Sequence, residues 1–205
     1  MTILNGTYYN PVSFQCENNV KALPADKAPG PDGFTGRFYQ CTWPVITDDV
    51  MAAIEHVFNL RSRGLHRLND ALIMLLPKKA DSVDVSAFRP ISLVHSFGKL
   101  LTKILANRLA SELPKLIASN QSAFIRGRSI HDNFRMVQLT TKALHARRVP
   151  MVLLKIDNAK AFDTVSWPFL LSILKHMGFG ERWIEIVSSI LRSSSSRVLL
   201  NGVPR

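Results

Sequence analysis

The chain has 205 residues, of which 46% are apolar and 20% charged. That make-up excludes a wholly disordered chain, a collagen-like fibre and a disulfide scaffold, and it leaves room for one domain or two small ones sharing a core. The formal net charge of +11 is uneven: residues 1–60 carry three basic and six acidic side chains, and residues 61–205 carry 23 basic and nine acidic. The densest stretch, Lys99 to Arg148, holds ten basic residues against Glu112 and Asp132. Such a surface suits a polyanion, nucleic acid first and anionic membrane second, or is a basic solvated face without a specific partner. No apolar run approaches the ~20 residues that span a bilayer. The N-terminus lacks the basic start, apolar block and small-residue cleavage site of a secretory signal. An intracellular protein, in nucleus or cytoplasm and with no membrane partner, is therefore expected. Cys16 and Cys41 show no metal spacing and are expected to be buried thiols in a reducing compartment. Asn5-Gly6-Thr7 is a formal glycosylation sequon, read as chance when no signal precedes it.

Along the chain, residues 1–26 lack clear periodicity and are expected as a loosely ordered lead-in. Lys27-Ala28-Pro29-Gly30-Pro31-Asp32-Gly33 packs two prolines and two glycines into seven residues and must be a shaped loop. Val45, Ile46, Val50, Ala53, Ile54, Val57 and Phe58 recur at helical spacing, which predicts a helix over 45–60. Asp48 and Asp49 sit in its first turn, on the side of the helix dipole that favours them. Leu72 to Leu76 and Phe88 to Leu93 read as two short strands around a polar tip, a hairpin.

From Phe97 to Leu113 the stripe Leu100, Leu101, Ile104, Leu105, Leu109, Leu113 predicts an amphipathic helix that ends near Pro114. Lys99, Lys103 and Arg108 lie off that stripe. Gln121 to Arg128 is turn-rich. Asp132 to Ala146 is predicted helical, and Met151 to Ile156, an apolar run after Pro150, a buried strand. Ser166 caps a helix with Pro168 in its first turn, and Gly178 and Gly180 stop it. A further helix is expected over Arg182–Leu191. Arg197 to Leu200 reads as a strand, and Asn201-Gly202 as a tight turn whose returning strand is missing.

The best candidate for chemistry is Asp157, at the end of that apolar run. Packing does not call for a carboxylate there, and a buried unpaired charge is costly. In a strand Met151, Leu153, Lys155 and Asp157 share one face. A carboxylate at a strand end facing a groove suits Mg²⁺, which takes hard oxygen ligands and few protein carboxylates. Two such ions can activate an attacking hydroxyl and steady a leaving oxygen in phosphoryl transfer. The alternative is a cap, or an ion-pair partner for Lys155 or Lys160; Asp163 faces the same choice.

These segments together resemble the reverse transcriptase of plant-type non-LTR (LINE) retrotransposons, from about Lys27 to Pro204. Lys-Ala-Pro-Gly-Pro-Asp-Gly-Phe at 27–34 is similar to the family's opening motif. Phe88-Arg89-Pro90-Ile91-Ser92-Leu93 and Gln121-Ser122-Ala123-Phe124-Ile125-Arg126-Gly127-Arg128 resemble its fingers motifs. Asp157 to Asp163 resembles the first catalytic palm motif, and Met177-Gly178-Phe179-Gly180, Trp183 and Asn201-Gly202 match as well.

The resemblance implies an α/β (α+β) fold: the fingers and a partial palm of a right-hand polymerase, helix-rich, with an incomplete sheet. It divides the chain into a lead-in (1–26), a fingers-like region (27–150) and the start of the palm (151–205). It implies RNA-directed DNA synthesis with Mg²⁺, an RNA template, an RNA/DNA duplex and deoxynucleotides. Asp157 would be the first metal-binding aspartate and the catalytic one, with the Asn158 carbonyl beside it as an oxygen ligand. Phe162 would be the steric gate beneath the incoming sugar, or a core residue. Lys78 and Arg89 would hold the triphosphate, for which the planar fork of arginine is apt. Arg126 and Arg128 would lie along the template path, or be plain surface charge. Lys99, Lys103 and Arg108 would touch template backbone or form a solvated face.

The family pattern continues with Gln-Gly-x-Pro and Tyr-x-Asp-Asp. Neither occurs in these 205 residues, and no Asp-Asp pair follows Asp157. The expectation is therefore a polymerase segment inactive by itself. The alternatives are a non-catalytic RNA/DNA-binding remnant, or an unstable product without function.

Overall fold

The computed structural model describes residues 12–61, 64–157 and 164–205, with side chains from residue 15 onward. The architecture is mixed α/β, with helices and a small incomplete sheet, as expected. Packing divides the chain into two compact units, Met1–Leu105 with Ile173–Arg205, and Ala106–Ser172. This division differs from the one at residue 150 that the resemblance implies.

In the first unit, the expected loose lead-in contains a helix, α1 (Val12–Lys21). Cys16 and Val20, one turn apart, are buried, and Leu23 follows them inward. The intervening Glu17, Asn18 and Asn19 diluted the apolar period. Gln40 ties off the α1 C-terminus, its Nε2 donating to the carbonyls of Lys21 and Leu23 at 3.1 and 2.9 Å. Burial pushes the Cys16 thiol up to about 11, so it stays protonated at neutral pH. Cys41, expected buried, is exposed. It lies two residues from buried Tyr39, about 200° around the helix, and so faces out.

Helix α2 (Gly36–Phe58) starts well before the periodic stretch. Thr35 caps it, its hydroxyl accepting from the Phe38 N–H at 3.3 Å. Pro44 sits inside it and removes one ladder donor. The short helix α3 (Leu65–Leu68) leads into strand β1 (Asp70–Pro77). Strand β2 (Phe88–Val94) returns antiparallel, pairing Leu72 with Leu93, Met74 with Ile91 and Leu76 with Arg89.

Helix α4 (Ser96–Leu116) buries Leu100, Leu101, Ile104 and Leu105 of the expected stripe, while Leu109 and Leu113 are half-buried. It runs two residues past Pro114, whose ring falls in the last turn. Strand β3 (Ser195–Leu200) lies parallel to β1, giving the sheet order β2-β1-β3-β4. The returning strand expected to be missing is present as β4 (Val203–Pro204), which pairs Leu200 with Val203. Asn201 and Gly202 both take positive φ, 51° and 80°, the turn geometry that matches strand twist.

The remaining helices are α5 (Ile130–Ala146), α6 (Trp167–His176) and α7 (Glu181–Ser193). The Ser166 hydroxyl accepts from the Phe169 N–H at 3.4 Å, a weak version of the expected cap. In α7, Trp183 and Ile186 are buried. Two ties fix its ends: Arg182 donates to the Phe58 carbonyl at 2.7 Å, and Asn69 to the Ile190 carbonyl at 2.7 Å. The fully buried side chains Val20, Ile54, Leu100, Ile104 and Ile186 make the core of the first unit.

The second unit departs most from expectation. Residues 151–157 form no strand and are exposed throughout, Val152 at 95%. A strand exists only alongside a partner that pairs its N–H and C=O groups. Among the described residues no strand runs beside this segment, so its apolar run stays solvated.

Candidate nucleic-acid and nucleotide interface

The β1–β2 hairpin positions the two cations expected at a triphosphate. Directly opposed residues of an antiparallel pair share a face. Arg89 therefore projects on the same face as Leu76, Met74, Ile91 and Leu72. It is exposed and stands near the tip. Lys78 follows directly on β1, and its N–H bonds to the Ala87 carbonyl at 2.8 Å. Its Nζ donates to the Ser86 carbonyl at 2.7 Å, so this cation also clips the tip shut. Lys99 and Lys103 stand one helical turn apart on α4, off the buried stripe, the first half-buried and the second exposed. Arg108, expected beside them on the outer face, is buried instead.

The Pro/Gly-rich loop is fastened to the base of this hairpin. The Asp32 carboxylate accepts from the Phe34 N–H at 3.2 Å, and its other oxygen lies 3.0 Å from Nδ1 of His95, the residue after β2. The Ser96 hydroxyl donates to the Phe34 carbonyl at 2.8 Å. A Cβ on Gly30 would come within 2.5 Å of the Val94 and His95 backbone. Glycine is what lets the two chains touch. Burial, and next the charge of Asp32, push the Tyr39 phenol above its ordinary value.

At the far end of the sheet, Arg197 and Ser195 both bond to the Asp70 carboxylate, at 2.5 and 3.1 Å. The Arg197 bond is the main cause that holds this carboxyl below the usual range, with desolvation opposing it. No single local pattern announces the Asp32–His95 or Asp70–Arg197 pairs. Only the Pro-Asp-Gly turn hints that Asp32 has a backbone to hold.

In the second unit, loop 121–128 carries Arg126 and Arg128. Arg126 is exposed. Arg128 turns back onto the chain: Nη1 donates to the Ala118 and Gln121 carbonyls at 2.6 and 2.7 Å, and Nη2 to Ile117 at 3.0 Å. It satisfies carbonyls left open just past the end of α4. The pair expected to act alike thus divides into an anchor and an exposed cation. Phe124, two residues before Arg126, is exposed, which its place in a turn-rich run next to arginine could have suggested.

Asp157 is exposed. Asn158, Phe162 and Asp163 lie outside the described residues. Among the described residues no three His, Cys, Asp or Glu side chains come together to hold a metal ion. One exposed carboxylate does not supply the set of oxygens that a divalent ion needs, so the described residues do not by themselves fit the ion. The structure thus brings Lys78 and Arg89 onto one hairpin, Lys99 and Lys103 onto one helix, and Arg126 and Arg128 onto one loop. No helix among the described residues is long and apolar enough to cross a membrane.

Comparison with known proteins agrees with this arrangement of motifs. The reverse transcriptase (RNA-dependent DNA polymerase) family pattern matches residues 76–205. The chain is 32% identical over 185 residues to the 149 kDa protein of transposon TX1 from Xenopus laevis, covering 89% of this chain. It is 30% identical over 192 residues to the putative 115 kDa protein of type-1 retrotransposable element R1DM from Drosophila melanogaster, covering 90%. The RNA-directed DNA polymerase of mobile element jockey, also from Drosophila melanogaster, is 26% identical over 92% of the chain. The chain spans 14, 18 and 21% of these relatives. The chain belongs to the reverse transcriptase family, among the non-LTR retrotransposons, a family that reads a nucleic-acid template and uses divalent metal ions.

Proposed function

We propose that these residues are the fingers (27–150) and the start of the palm (151–205) of an RNA-directed DNA polymerase that works with Mg²⁺. The observation that carries this reading is the β1–β2 hairpin with Lys78 and Arg89, at the start of the stretch that the family pattern matches. Lys78 and Arg89 hold the phosphates of an incoming deoxynucleotide, for which Lys78 exchanges its tip carbonyl for a phosphate oxygen. Lys99, Lys103 and Arg126 follow the backbone of the RNA template or the RNA/DNA duplex, and Arg128 holds the loop that presents Arg126. Asp157 is the catalytic carboxylate of the metal set, with the Asn158 carbonyl beside it and Phe162 as the steric gate under the sugar. It is one carboxylate of a set, and no Asp-Asp pair follows it in these 205 residues. By themselves they bind a primed template and do not extend it.

The test is binding and primer extension by the purified chain on a primed RNA with Mg²⁺. The expected result is binding that weakens steeply with salt, by roughly 0.7 to 0.9 in log–log slope for each phosphate neutralised, and no extension. A flat salt response overturns the template reading. Extension that Asp157→Ala abolishes overturns the claim of inactivity. A second reading, a remnant without a stable fold, draws on the exposed Phe134, Met136, Leu139 and Val152 of the second unit. A cooperative thermal transition in a soluble monomer overturns that one.

A further inference from the structure

Phe124 stands out among the exposed aromatics. It is 92% exposed and its φ is +63°, in the left-handed region that a bulky L residue adopts only under constraint. The constraint is visible on both sides. Its neighbours Ser122 and Ile125 are buried. The Arg128 N–H bonds to the Ile125 carbonyl at 3.2 Å, across Gly127, whose φ is +80°. The Arg128 guanidinium binds three carbonyls upstream, and Asn133 donates to the Asn120 carbonyl at 2.9 Å. The loop is closed on itself, and what it projects is one ring.

A flexible tip would have no reason to hold a phenyl ring in water on strained backbone. The charge around it selects the ligand. Arg126 is exposed two residues on, and residues 106–172 carry ten basic side chains against four acidic. A ring beside a cation on a basic unit is how proteins hold single-stranded nucleic acid: bases stack on the ring, phosphates meet the cation, and the sequence is not read. A paired duplex offers no free base face.

We propose that Phe124 is a stacking platform for an unpaired base of single-stranded RNA, with Arg126 contacting the adjacent phosphate. This inference rests on the template-binding reading above and adds to it the residue and the strandedness.

The test measures fluorescence anisotropy of labelled single-stranded oligouridine, the same oligomer carrying abasic sites, and an RNA–DNA duplex. The proteins are the full 205-residue chain and its variants. Phe124→Ala is expected to weaken binding to oligouridine about tenfold, the size of one lost base–aromatic stack. Its salt slope, duplex affinity and affinity for the abasic oligomer stay unchanged. Phe124→Trp is expected to keep the affinity and to add indole fluorescence that oligouridine quenches and the abasic oligomer does not. Arg126→Gln is expected to lower the salt slope by about 0.7, one phosphate. Phe124→Gly, which relieves the positive φ, controls for folding and should melt at or above the wild-type temperature.

Wild-type chain that binds no RNA sinks both readings together. Wild-type chain that binds while Phe124→Ala binds equally well overturns the stacking inference alone. Loss of self-association in Phe124→Ala with RNA affinity intact assigns the ring to a protein contact, and also overturns it.

Discussion

The two compact units use similar apolar residues to opposite effect. In Met1–Leu105 with Ile173–Arg205, each apolar stripe meets another: α4 buries Leu100 and Ile104, α2 buries Ile54, α7 buries Ile186. In Ala106–Ser172, α5 is amphipathic but leaves Phe134, Met136 and Leu139 exposed, and the run 151–156 is solvated. Ile125 is the one large apolar side chain that is buried, at 8% exposure, among the described residues of that unit. An apolar period marks a capacity for burial. Whether burial occurs depends on a second surface with matching shape or a ladder with free partners. What holds the second unit's loop is polar instead: Arg128 on three carbonyls and Asn133 on one.

This contrast can be broken by truncation. Leu100→Ala removes a side chain with no exposure and is expected to destabilise the first unit by roughly 2–5 kcal/mol. Leu139→Ala, on an exposed helical face, should stay within about 0.5 kcal/mol. Urea unfolding followed by far-UV circular dichroism checks both, and equal effects would erase the distinction between the units.

A smaller loss is expected from Gly30→Ala. Its Cβ would press on backbone at 2.5 Å, which cannot yield as a side-chain end does. The loop must lift from His95, at a cost of about 1–3 kcal/mol. Hydrogen exchange should show faster amides at 30–36 and 93–96 and no change in α5. Unchanged exchange at 93–96 would mean the clasp is not a constraint.

The smallest effect is on pH dependence. Arg197 holds the Asp70 carboxyl below its ordinary value. Folding therefore gains stability that is present at neutral pH and is lost as pH falls through and below the ordinary carboxylate range. Asp70→Asn should lower the melting temperature slightly at pH 7 and flatten its fall toward pH 3. A variant whose melting curve parallels the wild type at all pH values would show that the pair contributes nothing.

Much of the secondary structure was legible because its signals are local. The period of α4, the Ser166 cap, the polar tip between two apolar runs and the Asn201-Gly202 turn each lie within one short window. The misses have physical causes. Helix α1 was hidden because buried Asn19 breaks the apolar period. Pro114 reads as an end, yet a helix tolerates the loss of one ladder bond when packing holds its flanks. Burial of Cys16 and exposure of Cys41 depend on which face of each helix meets the other, which two isolated cysteines do not reveal.

The site divides the same way. Residue type and order alone determined a basic chain with its charge after residue 60, a hairpin bearing Lys78 and Arg89, and motifs that place it among reverse transcriptases. Each follows from composition or from neighbours in sequence, where side-chain chemistry and backbone period act directly. Only the tertiary structure decided that Asp32 clasps His95, that Arg128 anchors its loop while Arg126 is exposed, that Phe124 is held out on strained backbone, and that 151–156 is no strand. Those depend on which distant backbone groups come within hydrogen-bond reach, and such pairings are set by packing between elements rather than by any pattern within one.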